Sequence, residues 1–160
     1  VTRIGQDAFM ECTSIKNVSI PNSVTTIYPG IFRACSGLES VSLLDSSITV
    51  IPYMAFFECR SLKSVTIPVG VTSIGKWAFS NCTSLESVAI PSSVTSIDDT
   101  AFSGCAAVTT LHLNTSLVST TSGFVETYFG DSVTKPLEGD EIKHISDILL
   151  SNLVDMEAKE

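Results

Sequence analysis

Five cysteines are the residues of this 160-residue chain best suited to chemistry, and they stand at a fixed beat: Cys12, Cys35, Cys59, Cys82 and Cys105, separated by 23, 24, 23 and 23 residues. Three chemistries are open to such a set. Zinc ligation calls for close pairs such as C-x-x-C, and no two of these cysteines lie closer than 23 residues. A disulfide ladder is within reach if the cysteines stack about 5 Å apart. Five is an odd number, however, and side chains of one stacked column point the same way rather than toward each other. Nucleophilic catalysis needs a base, and the chain has only two histidines, His112 and His144, with no nucleophile-elbow or protease signature around any Cys or Ser. No glycine-rich phosphate loop is present either. The favoured reading is a column of reduced, buried thiols used as small apolar residues.

The elements that would position such a column follow from the beat, since a fixed spacing in this range marks an internal repeat. Aligned on the cysteines, the chain divides into "VTRIGQDAFMECTSIKNVSIPNS", "VTTIYPGIFRACSGLESVSLLDSS", "ITVIPYMAFFECRSLKSVTIPVG", "VTSIGKWAFSNCTSLESVAIPSS" and "VTSIDDTAFSGCAAVTTLHLNTS". The shared pattern is V-T-x-I-x-x-x-A-F-x-x-C-x-x-L-x-x-V-x-I-P. In one unit, Leu85, Val88 and Ile90 end in an alternation of period two, which predicts a short strand. Pro91 stops it, because proline cannot donate to a ladder, and "PSS" turns the chain. Val94 and Ile97 point back inward. The stretch "DDTAFSGC" is too short for more than one helical turn and places Ala101, Phe102 and Cys105 inside. One such coil cannot bury its own apolar face, so successive coils must stack, with their strands in parallel at about 4.8 Å.

The five blocks resemble the BspA-like leucine-rich repeat surface proteins, first described in a treponemal surface protein and found in Bacteroidetes and some mucosal protist parasites. The segment "VTSIGKWAFSNCTSLESVAIPSSVTSI" fills nearly every position of that family's consensus. The resemblance implies an α/β repeat solenoid, a right-handed leucine-rich-repeat coil with a parallel concave sheet and short helical or 3-10 turns on the other side. It also implies a non-enzymatic role at the cell surface or outside the cell, in adhesion or in binding a protein or glycan of a host or neighbouring cell; known members bind fibronectin or fibrinogen. A second reading is a stiff spacer that displays another domain.

Residues 1–116 hold the five repeats, 117–139 an irregular longer one, and 140–160 a degenerate sixth repeat or a C-terminal capping helix. In that last stretch Ile142, Ile145, Leu149, Leu153 and Met156 fall at helical spacing, while the same residues also align with a repeat in which Leu153 takes the cysteine's place. The opening "VTRIGQDAF", with no initiator Met, reads as part of something longer or as a trimmed chain.

Charge narrows the partners. The net charge is −8, concentrated toward the C-terminus, with eight acids and three bases in residues 131–160. No basic patch for nucleic acid, no polybasic segment for a membrane surface and no apolar run of spanning length is present. No cofactor or metal is expected.

Two surfaces are candidates for binding. The outward strand positions form a nearly uncharged field of hydroxyls that includes Ser64, Thr66, Ser87, Thr110 and, in "LHL", His112. Such a field suits a broad hydrogen-bonded contact, and it equally suits tight packing in a parallel sheet. Beside it run Lys16, Glu39, Lys63 and Glu86, whose alternating signs should pair across neighbouring strands. On the other side, Tyr28, Tyr53, Met54 and Trp77 fall in the three positions before the A-F pair, where exposed aromatics favour recognition; Met54 and Trp77 share a column and should touch. Asn17-Val18-Ser19, Asn81-Cys82-Thr83 and Asn114-Thr115-Ser116 fit the glycosylation sequon, which arises readily by chance in a Ser/Thr-rich repeat.

Overall fold

The computed structural model describes residues 1–43 and 46–113. Ten short strands alternate along them: β1 (Arg3–Ile4), β2 (Asn17–Ser19), β3 (Thr26–Ile27), β4 (Ser40–Ser42), β5 (Val50–Ile51), β6 (Ser64–Thr66), β7 (Ser73–Ile74), β8 (Ser87–Ile90), β9 (Ser96–Ile97) and β10 (Thr110–Leu113). The even-numbered strands pair in parallel in the order β10-β8-β6-β4-β2. Each repeat position therefore faces its own counterpart, as in Ser64 opposite Ser87, Val65 opposite Val88 and Thr66 opposite Ala89. This is a solenoid of stacked coils, and the expected strand at Leu85–Ile90 is β8 with its neighbours.

The odd-numbered strands form a second line on the adjoining side, made of β5-β7-β9 and a separate β1-β3 pair. The break between β3 and β5 falls where the cysteine spacing is 24 rather than 23. There the turn slips: Ser46 N–H bonds Leu43 O at 2.9 Å, and Ser47 donates from its amide to Val24 O and from its hydroxyl to Asn22 O. The extra residue in "LLDSS" displaces the next coil's first hydrogen bonds from β3.

The core is a set of columns, one residue per coil. Val24, Ile48, Val71 and Val94 form one, and Leu38, Leu62 and Leu85 another, all nearly or fully removed from solvent. At the centre the phenylalanines stack face to face: Phe9 on Phe32 at 5.3 Å, Phe32 on Phe56 at 5.5 Å, Phe56 on Phe79 at 5.1 Å and Phe79 on Phe102 at 5.2 Å between centroids. Interplanar angles of 3–19° keep the rings nearly parallel. Each ring covers the next, which no single coil could do for itself.

The side opposite the main sheet corrects one expectation: among the described residues it contains no helix and no 3-10 segment, only consecutive turns. The reason is a left-handed residue at two points in most coils. Asp7 and Glu11, Gly30 and Ala34, Met54 and Glu58, and Trp77 and Asn81 all have φ between 52° and 69°. Only three residues of ordinary φ lie between the members of each pair, so no helix can propagate. The amides so released turn toward the next coil: Asp7, Phe9 and Glu11 donate to Pro29, Ile31 and Arg33 carbonyls at 3.0, 2.9 and 2.8 Å. Backbone that would have closed a helix on itself ties coil to coil instead. The irregular repeat at 117–139 and the expected capping helix or sixth repeat at 140–160 lie outside the described residues.

Candidate functional site

The cysteine column follows the phenylalanine column by three residues in each coil and precedes the strand of the main sheet along the chain. Cys35, Cys59, Cys82 and Cys105 are fully buried, and Cys12, in the first coil, is half-buried. All five are unbridged. Each buried thiol donates a hydrogen bond to the carbonyl of the phenylalanine one coil back: Cys35 to Phe9 at 2.9 Å, Cys59 to Phe32 at 3.1 Å, Cys82 to Phe56 and Cys105 to Phe79 at 3.2 Å. The same carbonyls accept the amide of the cysteine in their own coil, as Phe56 O does from Cys59 N at 3.2 Å. The thiol is thus a polar link between coils as well as a small space-filling group, a role that the reading of these residues as apolar left out. Burial pushes all four thiols up, Cys105 to about 12, and the charge of neighbouring thiols adds to the rise in Cys35, Cys59 and Cys82. A thiol held neutral in this way is a poor nucleophile and a poor metal ligand. Among the described residues no three His, Cys, Asp or Glu side chains gather where they could hold a metal, and no helix is long and apolar enough to cross a membrane.

The outer face of the main sheet carries the expected hydroxyls in rows. Ser64 is exposed, while Thr66, Ser87 and Thr110 are half-buried between neighbouring strands. At the N-terminal end of that row Ser40 donates to the Asn17 carboxamide oxygen at 2.7 Å. His112 lies in β10 opposite Ala89 by register. Of the charges beside this face, Glu39 pairs with both Lys16 at 3.4 Å and Lys63 at 3.8 Å. The expected Lys63–Glu86 pair does not form, because the Lys63 ammonium leans back to Glu39. These groups are well exposed, so each pair is worth about 0.2–1 kcal/mol.

The aromatic residues divide. Tyr53, 43 % exposed, lies against Trp77 of the next coil with ring centroids 5.9 Å apart and planes tilted by 41°. Phe57 reaches the same indole at 6.4 Å and 47°. The Lys76 ammonium sits over the Trp77 ring, 4.4 Å from its centroid. Met54 shares Trp77's column, but the ring contacts of Trp77 are with Tyr53 and Phe57; Met54 meets that coil through its amide, which bonds Lys76 O at 3.1 Å. Tyr28 is exposed, and among the described residues it joins no ring contact. Phe57 was not singled out in the sequence because it directly follows the core residue Phe56. The signal was its column, which in the other coils holds Met10, Arg33, Ser80 and Ser103. Next to this cluster, Asp98 accepts both the amide and the hydroxyl of Thr100, at 2.9 and 2.6 Å, and its carboxyl is held below the usual range by those bonds and, to a lesser extent, by the charge of Lys76.

The model of the BspA type leucine-rich repeat region matches residues 2–129 in six copies. Three solved structures are similar over most of the chain. A leucine-rich cell surface protein from Faecalibacterium prausnitzii is 38 % identical, with a TM-score of 0.68, over 83 % of this chain and 34 % of its own. A leucine-rich repeat protein from Bacteroides ovatus is 34 % identical, with a TM-score of 0.66, over 71 % of this chain and 29 % of its own. The T. pallidum leucine-rich repeat protein is 34 % identical, with a TM-score of 0.64, over 71 % of this chain and 53 % of its own. The chain therefore spans roughly a third to a half of these relatives. No curated protein sequence matches it.

Proposed function

We propose, from the premise that the chain belongs to the BspA type leucine-rich repeat family, that it is a binding module which holds a macromolecule outside the cell through the flank of its solenoid, without catalysis. The observation that carries this reading is the Tyr53–Trp77–Phe57 cluster. Large aromatic side chains stand there in columns that the other coils fill with residues as different as Gly30, Met54, Arg33, Ser80 and Asp99, none of them aromatic, so the fold does not require the rings. The similarity to a cell surface protein of F. prausnitzii supports the location. The favoured partner is a protein of a host or neighbouring cell, and a glycan is the competing one.

The test is capture of purified matrix proteins, fibronectin and fibrinogen among them, by the immobilised chain. Binding that falls at least tenfold in Trp77→Ala and Tyr53→Ala supports the reading, and binding that is unchanged in both removes the cluster from it. A stiff spacer is the second reading, and the unbroken phenylalanine stack through every described coil favours it. Absence of binding to any partner, with the folded rod intact, would leave the spacer standing.

A further inference from the structure

Coil 3 departs from its neighbours on the outside only. Its outward residue on the second strand line is Val50, 44 % exposed, where other coils place Arg3, Thr26, Ser73 and Ser96. Three and seven residues on, Tyr53 and Phe57 replace residues that are mostly polar or small in the neighbouring coils. Both rings lean on Trp77, which gathers three aromatic side chains, and the indole already holds a positive charge: the Lys76 ammonium, 4.4 Å from its centroid. The negative faces of aromatic rings attract a cation at this distance, most strongly at tryptophan.

The next coil adds negative charge. β7 and β9 pair Ile74 with Ile97, so Asp98 and Asp99 follow in the columns of Gly75 and Lys76. Asp98 stays ionised at neutral pH, since its carboxylate is bonded twice by Thr100. Asp98, which feels the charge of Lys76, and Asp99, in the column of Lys76, together exceed that one ammonium by one charge.

We infer that this cluster is a cation-recognition site whose ligand is an arginine side chain displayed by a partner polypeptide, and that Lys76 fills the place in the free protein. The inference rests on the binding role proposed above and names the chemistry of its partner. A guanidinium fits better than an ammonium, because its planar face stacks on the indole while its five donors reach the carboxylates. A neutral sugar fits less well. A sugar carries no charge to make good the loss of the Lys76 ammonium from the indole face. The rings are also tilted against each other rather than laid out as one flat platform. Lys76 is exposed, so its ammonium can move into water at small cost.

Trp77 is the chain's only tryptophan, so its fluorescence reports the site directly. The whole chain is titrated with acetyl-Gly-Arg-Gly-amide and with the same peptide carrying citrulline, which keeps the shape and loses the charge. The expected result is a saturable change in Trp77 emission with the arginine peptide alone. Lys76→Met, which removes the internal competitor, should tighten it about two- to five-fold, and Asp99→Asn should weaken it. An equal response to citrulline, no saturable response to arginine, tighter binding of a neutral chito-oligosaccharide, or a Lys76→Met variant that binds no tighter would each overturn the inference. If the arginine peptide fails while Trp77→Ala still abolishes capture of a matrix protein, the cation site falls and the binding role stands. If Trp77→Ala leaves capture untouched, the binding role itself has failed.

Discussion

The Cys82 thiol donates a hydrogen bond of 3.2 Å to the carbonyl of Phe56, one coil back, and the Phe79 ring of the thiol's own coil stacks on the Phe56 ring at 5.1 Å. Two columns of the repeat are thereby tied to each other across every interface between coils. The ties bear on how the protein responds to pH, to mutation and to chemical probes.

The thiols make the fold sensitive to alkali. A thiol free in the unfolded chain ionises near pH 8.5–9, whereas burial raises Cys105 in the folded chain to about 12 and raises Cys59 and Cys82 likewise. Between those values the unfolded state holds fewer protons than the folded one, so stability falls as pH rises. The contribution is complete below about pH 8.5 and declines above it, by up to about 1.4 kcal/mol per pH unit for each buried thiol. Urea midpoints between pH 7 and 10.5 check this. Cys82→Ala should flatten the decline while lowering stability at pH 7, and thiol reagents should modify Cys82 only at the rate of unfolding. Rapid modification of Cys82 in the native protein would refute the ladder.

The phenylalanine stack predicts a gradient along the rod. Phe56 is fully buried between two rings, and Phe56→Ala should cost about 3–5 kcal/mol. Phe9 has a ring on one side only and is 37 % exposed, so Phe9→Ala should cost less than half as much. Chemical denaturation of the two variants decides it. Equal losses would mean that the rings do not act through their stacked neighbours.

Much of this architecture was legible because five repeats serve as an internal alignment. The main-sheet strands and the inward Val, Ile, Leu and Phe columns follow from residue type and beat alone, whereas the second line of strands and its break at the 24-residue spacing emerge only in the stacked coils. The turns were not legible, for a physical reason. Left-handed backbone announces itself through Gly30, Gly104 and Asn81, but Glu11, Ala34, Met54, Glu58 and Trp77 share that conformation and carry no such signal. Stacking imposes it on them, since only there do their coils' amides reach the next coil. The thiol's hydrogen bond was hidden likewise, because a recurring small residue looks the same whether it fills space or donates a proton. In the candidate site, Tyr53 and Trp77 stood out as aromatics in variable columns, whereas Phe57 and Lys76 acquire a role only once the coils are stacked.

Two glycine exchanges separate imposed backbone from open backbone. Gly37 stands in a column that holds Ser14, Ser61 and Ser84 elsewhere, so Gly37→Ser looks like a return to consensus. A Cβ at Gly37 would run into the backbone carbonyl of Thr13, and that atom cannot swing aside as a side chain can. Gly37→Ser should therefore destabilise by about 1–3 kcal/mol. Ala34→Gly should do the reverse. Ala34 is left-handed at φ 57°, in the column that Gly104 fills in coil 5, and relief of that strain should outweigh the added chain entropy by about 0.5–1 kcal/mol. Thermal melts of the two variants should move in opposite directions, and a stabilised Gly37→Ser would show that the approach to Thr13 is not as close as described.

Trp77 allows stability and recognition to be separated at one residue. Its backbone is left-handed at φ 56°, and the same column holds Gly30 in coil 2, so the fold at this point is best served by glycine. A tryptophan kept there costs about 1–2 kcal/mol of backbone strain, which its contacts with Tyr53, Phe57 and Lys76 only partly offset. Trp77→Gly should accordingly leave the unfolding free energy from urea titration within about 1 kcal/mol of the parent. Trp77→Ala, which removes the ring and keeps the Cβ in the left-handed backbone, should be the less stable of the two. Both should lose partner capture to the same extent, because both lose the indole. If Trp77→Gly unfolds the rod, the indole is part of the core. If it folds and still captures the partner as the parent does, the aromatic flank is not where this solenoid binds.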